Sequence, residues 1–125
     1  MENKKNNLVP LKFIRIAKDI TAKEMSESFK VTSAYICAVE GGERNLKEQT
    51  LVYGLNNLNI NYEEYLELES LSYELSLKEE IDNYEKYKIM LTKAIGVINP
   101  ELKEQAEELI DVIYRKKCKS KKITK

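Results

Sequence analysis

The sequence predicts an all-α chain. Helix-start signals recur along its length, apolar residues return at the spacing of a helix face, and no run alternates apolar with polar residues between turn signals as a half-buried strand would. The expected architecture is a five-helix unit followed by a C-terminal two-helix antiparallel hairpin.

Each element has its own justification. Pro10 suits the first position of a helix, where a missing N–H costs nothing, and Leu11, Ile14 and Ala17 then share a face. Thr21-Ala22-Lys23-Glu24 is a capping box, in which side chain and backbone at the helix start satisfy each other's groups, and Met25 and Phe29 follow on one face. Thr32 is a cap for a third helix with Ile36 and Val39 inward. Asn45-Leu46-Lys47-Glu48 is a looser box ahead of Leu51, Leu55 and Leu58. Asn61-Tyr62-Glu63-Glu64 opens a fifth, mixed helix carrying Tyr65, Leu66 and Glu69. Ser76-Leu77-Lys78-Glu79 is a full box, expected to start a long sixth helix with a stripe of Ile81, Tyr84, Lys88, Leu91 and Ile95, joined by Tyr87 and Met90. Asn99-Pro100-Glu101 starts the last, striped by Leu102, Ala106, Leu109, Ile110, Ile113 and Tyr114. The break from Gly96 to Pro100 makes this pair a hairpin. A boundary near Leu71 to Ser76 divides the chain into residues 1–72 and 73–125, and no internal repeat is present.

Composition excludes several chemistries. The chain has no His, which removes the commonest general base and metal ligand, so a Ser-His-Asp triad, a Cys-His pair and a His-containing zinc site are ruled out. Cys37 and Cys118 lie too far apart in sequence for a metal-binding CxxC, and Cys37 reads as a small residue packed in a helix. Glu63, Glu64, Glu67 and Glu69 cluster, but without a His partner or cofactor motif they read as a solvated acidic face. No enzyme activity, metal or cofactor is expected. The polar start of the chain and the lack of a long apolar run predict neither a signal peptide nor a membrane span, hence a cytoplasmic protein.

The stretch from Leu11 to Ile60 resembles the helix-turn-helix regulators of the phage Cro and C1 repressor type, the XRE-like family. The resemblance is carried by Leu11-Lys12-Phe13-Ile14-Arg15, Ile20-Thr21-Ala22-Lys23-Glu24-Met25-Ser26, the run from Phe29 to Arg44, and Leu51, Leu55, Leu58 and Ile60. Members of the family pair an Arg on the first helix with a Glu ending the third, and those positions hold Arg15 and Glu40; solvated, unpaired charges are the other reading of the two. Gly41-Gly42 suits a left-handed helix exit. The resemblance implies that helix 2 crosses the phosphates and helix 3 enters the major groove, placing Thr32, Ser33, Ala34, Tyr35 and Ala38 at double-stranded DNA, with Ala22 near phosphates.

The chain departs from the family at Ala22, where Gln is usual, at Ser26, and at Lys30, which stands at the turn glycine. Ser33, Ala34 and Ala38 cannot make the bidentate contacts that Arg, Lys, Asn or Gln make to purines. The expectation is then a T-rich site met by Ser33, Tyr35 and the alanine methyls, readout of DNA shape, or a domain that does not read bases.

Charge agrees in part. The net charge is zero, with 21 Lys and Arg against 21 Asp and Glu, which is not the usual basic footprint of a nucleic-acid binder. By segment, residues 1–61 carry +2, residues 62–99 carry −5 and residues 100–125 carry +3. Lys4, Lys5, Lys12, Lys18, Lys23, Arg44 and Lys47 are placed to touch phosphates, and the basic run from Arg115 to Lys122 either adds non-specific affinity or only solubilises.

A two-helix hairpin cannot bury its stripe alone, so Tyr84, Leu91, Ile95, Leu102, Leu109 and Ile113 are expected at a homodimer interface, the alternative being completion of a monomer's core. The reading that follows is a dimeric transcriptional repressor. A second reading is a protein-interaction module on the same scaffold, such as an antirepressor or a phage-encoded inhibitor of a host defence protein. Any control would come from a regulatory protein, a peptide or concentration itself rather than a metabolite, since no attached domain is large enough for a conventional small-molecule pocket.

Overall fold

The computed structural model describes residues 8–115; Lys4, Lys5, Cys118 and the basic run beyond Arg115 lie outside them. The described residues form seven α-helices and no strand, with a short 3-10 turn and a π-helical stretch near the end. None of these helices is long and apolar enough to cross a membrane.

Helix α1, Pro10–Lys18, has its proline in the first turn and buries Leu11, Phe13 and Ile14. Helix α2, Ala22–Phe29, starts on the complete capping box: Thr21 Oγ1 accepts from the Glu24 N–H at 3.0 Å, and Glu24 accepts from the Thr21 N–H at 2.8 Å. Helix α3, Ser33–Glu40, is capped by Thr32. Helix α4 spans Glu48–Asn57, α5 Tyr62–Ser76, α6 Asn83–Ile98 and α7 Lys103–Ile110. Asn61 caps α5 through the Glu64 N–H, as its position suggests.

Three local expectations are corrected. Asn45 does not cap α4; Lys47 holds that position with no side-chain bond, because Leu46 packs against the core and keeps the segment a loop. Ser76 starts no helix. It is the last residue of α5, its hydroxyl bonded back to the Tyr73 carbonyl, because α5 runs on to bury Leu75. The next helix begins after Asp82, whose carboxylate accepts from the Glu85 N–H, and Ile81 is buried in the turn rather than on the α6 stripe. Finally, the last element is not one helix but a 3-10 turn at Pro100–Leu102, then α7, then a π-helical stretch over Asp111–Arg115.

One apolar core joins all of this. Helix α1 packs mainly against α6 and also touches α3 and α5, while α2 packs on α3 and α4. The core runs without a break from Leu8 to Tyr114, so the expected division at 72/73 falls inside α5 and does not separate two cores. Ser72 marks the crossing: its buried hydroxyl donates to the Leu8 carbonyl at 2.5 Å. Helices α6 and α7 approach closely where Gly96 faces Ala106 and the backbone of Lys103.

A polar clamp holds α5, α6 and α7 together. Lys93, buried on α6, donates to Glu67 of α5 at 3.0 Å and to Glu107 of α7 at 2.5 Å. Burial alone would lower the Lys93 ammonium, but the bonds to Glu107 and Glu67 outweigh it and hold it above the ordinary lysine value. The same bond from Lys93 holds Glu67 below the usual carboxylate range, against the effect of burial. Loss of water pushes the buried Tyr65 phenol well up.

A raised folded-state pKa means the folded chain binds that proton more tightly than the unfolded one. The stability it contributes is complete below the unfolded value and lost as pH rises through the folded one. For Lys93 and Tyr65 that places the loss above about pH 10. The contribution of Glu67 runs the other way and is lost in acid. Thermal unfolding followed by circular dichroism should therefore show a melting temperature that falls steadily beyond about pH 10, less steeply in Lys93→Met. A melting temperature equally steep in both proteins would remove the clamp from the account.

Candidate nucleic-acid interface

Helices α2 and α3 are joined by the short turn Lys30–Thr32. Lys30 takes the left-handed conformation, φ 59° and ψ 45°, that the turn demands, with a non-glycine residue accepting it. At the far end of α3 it is Gly42, at φ 84°, that turns left-handed, while Gly41 stays right-handed.

Burial of Ile36 and Val39 fixes which side of α3 faces out. Ser33, Ala34 and Cys37 then lie exposed on the opposite side, and Ala38 is half-buried. Cys37 was expected to be packed. Its place one turn after Ser33 and away from Ile36 and Val39 is the signal that puts it on the outer face. The resulting surface carries a hydroxyl, a methyl and a thiol, and no charge.

The other two residues expected on this face serve the backbone. Thr32 is exposed, but its hydroxyl accepts from the Tyr35 N–H at 3.0 Å to cap α3. Tyr35 is half-buried. Its phenol donates to the Asn45 carbonyl at 2.8 Å and the Arg44 guanidinium sits 5.8 Å over its ring. Tyr35 thus braces the loop after α3, whose backbone is also held by the Glu43 and Arg44 N–H groups on the Ala38 carbonyl. The tyrosine contributes by placing Arg44 rather than by reaching outward itself.

The cations around this face are Lys23 in the first turn of α2, Arg44 in the braced loop, and Lys47 ahead of α4, all exposed. Glu27 and Glu43 are exposed as well, so the region is mixed in charge. A shallow pocket between α3 and α4 is lined by Val31, Thr32, Tyr35, Leu46, Lys47 and Thr50.

Behind the face, Arg15 and Glu40 form a two-point ion pair. Arg15 Nε donates to Glu40 Oε2 at 2.7 Å and Nη2 to Oε1 at 3.1 Å, while Nη1 reaches the Ile20 carbonyl at 3.1 Å. One guanidinium therefore joins α1, the turn before α2 and the end of α3.

The residues expected at a dimer interface divide. Tyr84, Ile95, Leu102 and Leu109 are exposed, as is Val112. Leu91 is half-buried and lines a shallow groove with Asn83, Tyr84, Tyr87 and Lys88. Ile113, like Leu91, is half-buried and packs against the core, because the hairpin rests on α1 and α5. Among the described residues no group of three or more metal-ligating side chains comes together. Comparison with protein-family models, with curated proteins and with solved structures finds no match to this chain.

Proposed function

We propose that the chain is a DNA-binding transcriptional regulator of the Cro/C1 helix-turn-helix type, acting as a dimeric repressor. Helix α2 lies across the phosphates and α3 enters the major groove. The observation that carries this reading is the pair of short helices joined by a tight turn, the second presenting Ser33, Ala34 and Cys37 outward. Lys23, Arg44 and Lys47 contact phosphates, while selectivity rests on the Ser33 hydroxyl, on apolar contact with thymine methyls and on DNA shape. The exposed side chains Tyr84, Ile95, Leu102 and Leu109 supply the surface on which two copies meet.

A second reading, a protein-interaction module on the same scaffold, is favoured by the outer face of α3 having no charged or amide side chain. The two separate in a gel-shift titration on AT-rich duplex from around its own gene. The regulator gives salt-sensitive, sequence-selective binding. Arg44→Ala then weakens all sequences alike and reduces the salt slope by about one. Alkylating Cys37 in a Cys118→Ser background abolishes binding, since the adduct stands where α3 meets the groove. Absence of selective binding, or binding indifferent to the adduct, excludes the regulator.

A further inference from the structure

Helix α7 runs beside α5 in the same direction, and three polar contacts set the register. Lys103 Nζ donates to Glu64 Oε2 at 2.7 Å, Glu107 meets Glu67 through the shared Lys93 ammonium, and Tyr114 OH donates to Glu74 Oε2 at 2.5 Å. The first and last pairs are 39 and 40 positions apart, so the spacing hardly changes along the helices. The described chain therefore ends beside Glu74, close to the α5–α6 turn, where Leu77, Glu79, Glu80 and Asp82 are all exposed. The outer side of α5 ends there in two large apolar side chains, Tyr73 at 68% exposure and Leu77 at 62%.

The segment that follows Arg115 matches this surface. Residues 116–125 hold six lysines and no acidic residue. Lysine stems cover apolar surface while their ammonium groups stay at its polar edge. Ten residues span up to about 33 Å, and Tyr114 is already bonded to Glu74 beside the shoulder, so reach does not limit the contact.

We propose that the segment 116–125 docks within its own molecule on the shoulder formed by the end of α5 and the α5–α6 turn. Lysine stems cover Tyr73 and Leu77, and the ammonium groups meet Glu79, Glu80 and Asp82. The contact consists of several exposed ion pairs, each weak and screened by salt. It is independent of how α3 is used.

Cys118 lies within the segment and serves as the reporter. In the full-length Cys37→Ser chain, a nitroxide on Cys118 should strip most of the intensity from backbone amide signals between Tyr73 and Asp82 at low salt. The loss should disappear at about 0.5 M salt, where the screening length is below about 5 Å. It should also disappear in E79Q/E80Q, a change at two exposed side chains whose fold is checked in the same spectra. Broadening that is spread evenly over the molecule, or that survives both salt and E79Q/E80Q, overturns the proposal. So does broadening that appears undiminished when spin-labelled, isotopically silent chain is mixed with unlabelled-cysteine, isotope-enriched chain, since the segment then docks on a second copy.

Discussion

Gly54→Ala should destabilise the fold by a net of about 2 kcal/mol, although helix propensity alone predicts a gain of about 1 kcal/mol for the same change. The sign is decided by Phe29. A Cβ built on Gly54 would lie 2.0 Å from Cδ2 of that ring and 2.2 Å from Cγ and Cε2. Ordinary carbon contacts are about 3.5–4.0 Å, so ring or helix must retreat. Phe29 is 1% exposed at the end of α2, so its ring cannot retreat toward solvent without giving up its burial. The strain therefore moves α4 away from α2, and the helix pair that carries the candidate interface is disturbed with it. Urea unfolding measures the loss directly. Phe29→Leu removes the obstructing ring edge, so Gly54→Ala should cost at least about 1 kcal/mol less in that background, a coupling expected only of side chains in contact. A Gly54→Ala protein more stable than the parent would show that propensity wins and that the helices are free to adjust.

The starts of α1, α2, α3 and α5 were legible because each depends on one residue acting over a single turn. Pro10, Thr21, Thr32 and Asn61 do locally what their types predispose them to do. Asn45 and Ser76 show why the same signal fails elsewhere. A cap can only act where the chain is free to begin a helix, and that freedom is settled by burial of residues at a distance. Leu46 is drawn into the core, which holds Asn45 in a loop. Leu75 is fully buried, which carries α5 through the place where Ser76 would have started afresh. The box Ser76-Leu77-Lys78-Glu79 is a valid local pattern overruled by packing.

The candidate interface divides in the same way. That Ser33 and Ala34 point outward follows from the spacing of Ile36 and Val39, and the same spacing places Cys37 beside them. The expectation of a packed Cys37 rested on how cysteines usually behave, and helix geometry was the better guide. The fate of Tyr35 was not legible. Its phenol is held by the Asn45 carbonyl, ten residues on, and only the path of the intervening loop brings the two together. The hairpin shows a third limit. Its apolar stripe is visible in sequence, but which residues turn toward α1 and α5 depends on the crossing of those helices, and that packs Leu91 and Ile113 against the core and leaves Leu109 at the surface.

Arg15→Ala should lower stability by about 2–3 kcal/mol, the second large effect expected of a single substitution here. The Glu40 side chain is only 10% exposed and takes both of its bonds to the guanidinium, so truncating Arg15 leaves a carboxylate with little access to water. Breaking a buried pair from one side costs about 3–5 kcal/mol, and the 25% exposure of Arg15 reduces that figure. Arg15→Lys keeps the charge but cannot reach both carboxylate oxygens and the Ile20 carbonyl with one planar group, so it should recover only part of the loss. The double substitution Arg15→Met with Glu40→Leu separates two roles for the pair. Removing both charges together leaves nothing stranded, so stability should return close to the parent value. What the apolar pair cannot restore is the fixed placement of α3 relative to α1. If α3 is the reading helix, the double variant should fold normally and bind DNA less selectively. A double variant as unstable as the sum of its single changes would mean that the two side chains act separately and that the pair does not hold α3 in place.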